Sequence, residues 1–192
     1  MMLKQAVPFS HSLLRKVIAP GDIVVDATAG NGFDTLFLAE LVGETGCVYA
    51  FDIQTQAIEQ TKKRIEKANV KTDITYVLDS HAHLNQYIKE EHQQKIRAAI
   101  FNLGYLPRSD KTKITTASST IPAIEQLLEH LLPNGLIIVV VYSGHDGGEE
   151  EKEAVLAFTK QLPQETFQVL QYGFINQRNT PPFVVAIEKR SS

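Results

Sequence analysis

Short apolar runs alternate with helical patterns along most of this 192-residue chain. Runs that predict strands cover residues 23–27, 47–52, 74–78, 98–103, 136–141, 167–174 and 183–188. The first five are apolar throughout rather than at alternate positions, which is typical of parallel strands covered on both faces. Helical patterns lie between the strands at 35–42, 55–68, 84–95, 120–132 and 149–162. This alternation predicts an α/β fold with right-handed crossover connections.

The last two predicted strands break this rhythm, because only the segment INQRNTPP separates them. That segment is too short for a crossover helix, so the two strands are expected to form an antiparallel hairpin. No repeat or linker divides the chain, and its 43% hydrophobic content is enough for one well-buried core. We therefore predict a single domain over residues 1–192. Its seven-stranded sheet is mostly parallel, with an antiparallel C-terminal strand and helices on both faces.

Charge, hydropathy and cysteine content exclude several classes of protein. The net charge of -3 does not attract phosphate over the whole surface, so nucleic acid would need a local basic patch. The longest apolar run, LIIVVVY, is too short to span a bilayer, and the N-terminal segment lacks the apolar stretch of a signal peptide. The single cysteine, Cys47, excludes an internal disulfide and fits a reducing compartment. We expect a cytoplasmic protein with no membrane partner. The sequence leaves open whether it is a monomer or a homodimer.

The segment DATAGNGFDT follows the first predicted strand and opens a helix, at the end of a parallel sheet where ligands bind. Gly30 and Gly32 allow a ligand to approach the backbone closely. Asp34 would repel a pyrophosphate at the helix start, whereas Asp26 and Asp34 suit the ammonium and sulfonium groups of S-adenosylmethionine. The alternative is a tight turn without a ligand. Candidate cofactor-binding residues in this segment are Asp26, Thr28, Ala29, Gly30, Asn31, Gly32, Asp34 and Thr35.

Two further strand ends carry side chains suited to a nucleoside. Asp52 ends the second predicted strand about 20 residues after Gly32, where a carboxylate can accept both ribose hydroxyls. Ile53 and Gln54 would then flank the ribose and adenine. After the third strand, the residues expected at the adenine edge are Asp79, Ser80 and His81. Three strand ends with this chemistry favour a cofactor site over a simple turn.

The segments VVDATAGNGFDT, VYAFDIQ and NLGYLP resemble the class I S-adenosylmethionine-dependent methyltransferases over nearly the whole chain. One departure is Thr28, which stands where that family usually has the first glycine of its loop. With GYLPRSDKTKITT, VVYSGHDGG and GFINQRNTPPFVVAIEK added, the chain resembles a small bacterial family of rRNA methylases. Members of that family are similar to tRNA 5-aminomethyl-(2-thio)uridine methyltransferases that act at the wobble position. The resemblance implies a Rossmann-like class I fold and S-adenosyl-L-methionine as cofactor.

The acceptor side is expected at the end of the fourth strand, in NLGYLP. Methyltransferases that act on base amino groups often have Asn/Asp-Pro-Pro-Tyr/Phe here. By that resemblance, Asn102 accepts hydrogen bonds from the amine and Tyr105 stacks on the base. Leu103 and Gly104 replace the two prolines, which fixes the carbonyl geometry less firmly. The alternative is that Asn102 caps a turn and Tyr105 packs on the edge of the core.

A protonated amine has no lone pair, so it must lose a proton before it attacks the methyl group. His145 and Asp146, just past the fifth strand, are candidates to assist that loss, as is bulk water. The alternative for His145 is a solvated loop histidine without a special role. Tyr142 is expected to form a second wall for the base.

Basic and polar residues follow two of the strand ends on the expected ligand side of the sheet. They are Arg108, Lys111, Lys113, Asn176 and Arg178. Such a rim on a mildly acidic protein suits an RNA stem or loop, although short basic clusters are often simply solvated. His81 and His83 lack a third ligand at a known spacing, so no metal site is expected.

The sequence therefore predicts a methyltransferase whose acceptor is an amine on an RNA base. By resemblance, that amine is the 5-aminomethyl group of wobble uridine, U34, in the anticodon stem-loop of tRNA. The alternatives are an rRNA base, a small-molecule acceptor, or a cofactor-binding partner without its own turnover.

Overall fold

The structure is a computed structural model of the chain, and it describes residues 2–104, 114–144, 147–178 and 180–191. Helices and strands alternate along these residues. The helices are α1 (Ala6–Val17), α2 (Phe33–Val42), α3 (Thr55–Ala68), α4 (Ala117–His130) and α5 (Gly148–Lys160). The strands are β1 (Ile23–Asp26), β2 (Cys47–Asp52), β3 (Asp73–Leu78), β4 (Ile96–Leu103), β5 (Leu131–Val141), β6 (Phe167–Tyr172) and β7 (Phe183–Lys189).

The strands form one sheet in the order β3-β2-β1-β4-β5-β7-β6. Strands β1 to β5 pair in parallel, whereas β7 is antiparallel to both β5 and β6. This arrangement confirms the predicted α/β class, the mostly parallel sheet and the antiparallel hairpin at its end. The strand order reverses between β1 and β4, so their carboxyl ends flank the crevice where open α/β sheets bind ligands.

Two hydrophobic clusters cover the two faces of the sheet. Successive strand residues point to opposite faces, so Val24 belongs to one cluster and Val25 to the other. Side chains of α1, α2 and α3 complete the first cluster, and those of α4 and α5 complete the second. Because both faces are buried, the central strands need apolar residues at every position, as the sequence pattern indicated.

The helix predicted over 84–95 is wrong. Two short 3₁₀ helices, His81–Gln86 and Glu90–His92, stand in its place. Side chains of other elements bind three backbone N–H groups of this segment and so replace the bonds of an α-helix. The N–H of Asn85 donates to Gln126, that of Lys89 to Tyr49, and that of Gln94 to His130. None of the helices in the described part of the chain has the length and apolar character needed to span a membrane.

Candidate active site

A cavity of about 1280 Å³ opens at the carboxyl ends of the central strands. Its walls include residues that follow β1, β2, β3, β4 and β5, together with Val7 and His11 of α1. Typical small-ligand pockets have volumes of roughly 300–1,000 Å³, so this cavity can hold a nucleoside cofactor and an acceptor group together. We call the walls from residues 27–31, 52–54 and 79–81 the cofactor side. The acceptor side comprises His11, Asp34, Asn102 and Tyr142.

The loop between β1 and α2 is held by backbone and side-chain bonds from neighbouring elements. The N–H of Ala29 donates to the carbonyl of Phe51 at 2.8 Å, and the N–H of Gly30 donates to Asp52 Oδ2 at 2.9 Å. Gly32 has φ +76°, and a Cβ there would lie 2.7 Å from the Cα of Thr61. Only glycine adopts this conformation in this space without strain, which fixes the sharp turn into α2.

Asp26 supports this loop from below. It is fully buried, and its carboxylate accepts from the N–H of Thr28 at 3.1 Å and the hydroxyl of Thr35 at 2.6 Å. Burial, reinforced by the nearby Asp34 charge, raises the pKa of Asp26 to about 7. The expectation that Asp26 faces a ligand charge is therefore corrected, because the carboxylate lies beneath the loop and holds it. Thr35 is also fully buried and belongs to this support.

Asp52 lies at the edge of the cavity with part of its hydrogen-bonding capacity free. Its Oδ1 accepts from the N–H of Gln54 and its Oδ2 from the N–H of Gly30, both at 2.9 Å. A carboxylate offers about four acceptor positions, so these two bonds leave room for a pair of hydroxyl donors. Ile53 is 52% exposed and lines the cavity beside Asp52, which gives a flat apolar base an open surface to cover.

His81 indicates which kind of ligand fits this cavity. Its Nδ1 donates to the carbonyl of Ala27 at 2.9 Å, so the neutral ring presents Nε2 as an acceptor. Burial lowers the pKa of His81, which favours this neutral form. Nε2 is buried and has no hydrogen-bond partner within the described part of the chain. S-adenosylmethionine carries amino and hydroxyl donors, so its chemistry fits an unpaired acceptor on this wall.

Asp79 and Ser80 complete the cofactor side, although Asp79 is largely engaged within the protein. The carboxylate accepts from the hydroxyl of Tyr87 at 2.8 Å and from the N–H of Ser80, and it pairs with His83 Nδ1 at 3.0 Å. These bonds, led by the one from Tyr87, lower the pKa of Asp79. Asp79 therefore stays ionised at the rim of the cavity.

Asn102 is fixed at the end of β4 by two elements. Its N–H donates to the hydroxyl of Thr28 at 2.7 Å, and its side-chain Nδ2 donates to Asp34 Oδ2 at 2.6 Å. Because the carboxylate can only accept, the amide is oriented with nitrogen toward Asp34. Among the residues that the structure describes, none donates to its carbonyl oxygen Oδ1, which can therefore accept from another donor. Thr28, which stands where the family usually has a glycine, thus has a structural role, since it ties the loop after β1 to β4.

His11 reaches the same carboxylate from α1. Its Nε2 lies 2.6 Å from Asp34 Oδ1, and its ring stacks on Phe37 with centroids 3.8 Å apart. The Arg15 guanidinium lies 4.7 Å from the centre of the Phe37 ring. The sequence analysis did not identify His11, because its N-terminal helix carries no motif and Asp34 lies 23 positions away.

Glu151, near the start of α5, is a second residue that the sequence analysis missed. It is 2% exposed, and it accepts from the hydroxyls of Thr115 and Thr120 at 2.7 Å each. Thr115 also accepts from the N–H of Gly104, directly after β4. Glu151 therefore links the end of β4 to the starts of α4 and α5.

The remaining predicted residues are only partly within the description. Tyr142 lines the cavity and is 38% exposed, and burial, then the Asp34 charge, raises its pKa. Asn176 and Arg178 are exposed between β6 and β7. The predicted residues that lie outside the described ones are Tyr105, Arg108, Lys111, Lys113, His145 and Asp146. In the described ranges, no group of three metal-ligating side chains is present.

The model of the family described as "Putative rRNA methylase" matches residues 48–188. A chloroplast protein of Arabidopsis thaliana named tRNA (mnm(5)s(2)U34)-methyltransferase is 37% identical over 197 residues, covering 98% of this chain and 71% of its own.

Two solved structures share both sequence and fold with the chain. A "putative rRNA-methylase" from Clostridium thermocellum has a TM-score of 0.94 at 44% identity, covering 98% of this chain and 100% of its own. SMU.1697c from Streptococcus mutans, a "putative methyltransferase" solved with SAH, has a TM-score of 0.88 at 44% identity, covering 98% of this chain and 99% of its own. With the geometry above, these matches show that the chain belongs to the rRNA methylase family and is a methyltransferase of the class I fold.

Proposed function

We propose that the protein transfers a methyl group from S-adenosylmethionine to the 5-aminomethyl amine of wobble uridine in tRNA. The observation that carries this proposal is the position of Asn102. Its oriented amide lies at the same cavity as the loop after β1, and Thr28 and Asp34 bind it directly. The activity named for the Arabidopsis relative agrees with this arrangement.

The cofactor side provides the residues that would hold S-adenosylmethionine. Asp52 accepts the ribose hydroxyls, and Ile53 packs against the adenine. His81 Nε2 accepts a hydrogen bond from a cofactor donor. Gly30 and Asn31 form the wall next to the methionine portion, because both line the cavity at the start of α2. When bound, the cofactor supplies a methyl group on a positively charged sulfur.

The acceptor side positions the amine. Asn102 Oδ1 accepts an N–H of the substrate and so directs the nitrogen lone pair. The half-exposed ring of Tyr142 packs on the uracil, and Tyr105 is proposed to do the same from the loop after β4. Positioning of this kind can lower a barrier by about 7–11 kcal/mol when the reacting atoms are held close together. Asn102 therefore does not have to act as a base.

Two of the proposed RNA contacts belong to a segment that reaches this cavity. Asn176 and Arg178 are exposed in the β6–β7 segment, from which Thr180 lines the cavity. Arg108, Lys111 and Lys113 are proposed to contact phosphates of the anticodon stem-loop. A wobble base lies in a single-stranded loop, where it can be unstacked and inserted into a pocket.

Mass spectrometry of tRNA nucleosides tests this function. Cells that lack the protein should accumulate 5-aminomethyl uridines at the wobble position and lose the methylaminomethyl forms. Purified protein with S-adenosylmethionine should restore the methyl group on isolated tRNA. Transfer to ribosomal RNA instead, or an unchanged tRNA nucleoside profile, would contradict the proposal. Equal transfer to a free nucleoside would argue for a small-molecule acceptor.

A further inference from the structure

Three side chains from three separate elements form one chain of contacts on the acceptor side. His11 of α1 binds Asp34 of α2 at 2.6 Å, and Asp34 binds Asn102 of β4 at 2.6 Å. The His11 and Asp34 side chains are 24% and 13% exposed, and both line the cavity. One carboxylate therefore orients the amine-binding amide and holds an imidazole beside the same space.

The proposed substrate sets a specific requirement at this place. An alkyl amine is an ammonium ion at neutral pH, and it cannot attack until one proton has left. An ionised carboxylate attracts such a cation, and a neutral imidazole can accept its proton near physiological pH. An imidazolium formed beside Asp34 would be stabilised by a short charge-assisted hydrogen bond.

We infer that His11 and Asp34 form the pair that accepts the proton of the substrate ammonium; this inference rests on the proposed function. The proton passes from the substrate nitrogen to Nδ1 of His11, because Nε2 already donates to Asp34, and the resulting imidazolium is held against the Asp34 carboxylate. The freed lone pair forms the N–C bond to the methyl group, while the S–C bond breaks and its electron pair stays on sulfur. The product is a secondary ammonium, and His11 returns its proton to solvent.

The charges around the pair are consistent with this assignment. Arg15 faces Phe37, on whose ring His11 stacks, so a fixed cation lies beside the aromatic ring that supports the pair. Burial, and after it the nearby Asp34 carboxylate, raises the pKa of both Tyr142 and Asp26. Of these two neighbouring carboxylates, Asp26 is buried under the loop, whereas Asp34 lines the cavity.

Single-turnover methylation tests the pair. The substrate is an anticodon stem-loop that contains 5-aminomethyluridine, with saturating S-adenosylmethionine, over a range of pH. General acid–base groups contribute about 10²–10⁴-fold, so His11→Gln should lower the rate by that factor at neutral pH. The deficit should shrink at least about tenfold at a pH above the pKa of the free amine, because the substrate then arrives deprotonated. Asp34→Asn, which can still accept from Asn102, should show the same pH-dependent deficit.

His92→Gln is the matched control, because His92 binds Tyr49 on another part of the molecule and does not line the cavity. It should leave the rate unchanged. Calorimetry should show that His11→Gln binds S-adenosylmethionine like the wild type, which separates a proton-transfer defect from a folding defect. A deficit that is the same at every pH, or no deficit, would overturn the inference while the proposed function stands. Failure of the wild type to methylate this stem-loop at any pH would overturn both.

Discussion

The cofactor side and the acceptor side of the cavity are built in different ways. On the cofactor side, backbone groups of short loops carry most of the geometry, as in the bonds from Gly30 and Gln54 to Asp52. On the acceptor side, side chains far apart in sequence meet, and the bond between Asp34 and Asn102 spans 68 positions. A loop of glycines can be recognised in a sequence, whereas a meeting of distant side chains depends on how helices pack on the sheet.

This contrast makes the two sides separable by mutation. Changes on the acceptor side should lower the rate and leave cofactor affinity intact. Changes on the cofactor side should weaken the cofactor first. Changes to the buried supports should lower stability.

Apart from the His11 and Asp34 variants, the largest effect is expected for Asn102→Ala. It removes the group proposed to direct the amine and leaves Asp34 without one of its partners. Loss of one oriented polar group at a reaction centre typically costs about 10²–10³-fold in rate. Single-turnover kinetics should show that loss, while calorimetry shows unchanged binding of S-adenosylmethionine. A loss of cofactor affinity as large as the loss of rate would show that the two sides do not act independently.

Asp52→Ala is the matching change on the cofactor side. It removes the acceptor of the Gly30 and Gln54 N–H groups, which is also the proposed acceptor of the ribose hydroxyls. Hydrogen bonds to a charged group contribute about 1.5–3 kcal/mol, so the dissociation constant should rise roughly 10- to 100-fold. Calorimetry measures it directly. A rate defect at saturating cofactor with normal affinity would contradict the assignment of Asp52.

Glu151→Ala tests the support beneath the acceptor side. The change leaves the hydroxyls of Thr115 and Thr120 without their buried acceptor, which should lower the free energy of unfolding by about 1–3 kcal/mol. Glu150→Ala is the control, because Glu150 is the exposed neighbour on the same helix. Denaturant unfolding compares the two variants. Equal stability of both would show that the buried links do not hold this region together.

The smallest effect concerns Asp26 and depends on pH. Its folded-state pKa of about 7 lies above the ordinary value of 3.8, so the folded protein holds this proton more tightly than the unfolded chain. The associated stability is fully present below the ordinary value and is lost as the pH rises through the folded value. Asp26→Asn keeps an oxygen for the Thr28 N–H and offers an N–H to the Thr35 hydroxyl.

The Asp26→Asn variant should therefore lose this pH dependence. It should be more stable than the wild type above neutral pH, because it does not have to bury a charged carboxylate. Thermal unfolding at several pH values measures the difference. A parallel decline of both proteins with pH would show that another group titrates.

Much of the fold could be predicted because it follows from local patterns. The range of α3 was predicted at both ends, since 55–68 is strongly amphipathic. The structure of the segment 84–95 was predicted wrongly. Side chains of Gln126, Tyr49 and His130, which lie far away in the chain, accept hydrogen bonds from its backbone N–H groups. Local propensity favoured a helix there, and tertiary hydrogen bonds outweighed it.

The candidate site divides in the same manner. Asp52, Ile53 and Asn102 lie at or directly after the carboxyl ends of strands, so their place at one edge of the sheet was predictable from position alone. Their contacts with a ligand stay predictions. Asp26 was given the wrong environment, because a sequence shows that a carboxylate ends a strand but not which of its neighbours cover it.

The sequence by itself determined the layered sheet, the glycine-containing loop and the family. These depend on hydrophobic periodicity and on residues close together in the chain. Only the tertiary structure decided that His11 meets Asp34, that Asp34 orients Asn102, and that Glu151 lies buried beneath the acceptor side. The first two contacts arise where α1, α2 and β4 meet on one face of the sheet, whereas Glu151 is buried where α5 packs against α4 on the other face. A side chain's partners across such distances are fixed by packing, which no local pattern encodes.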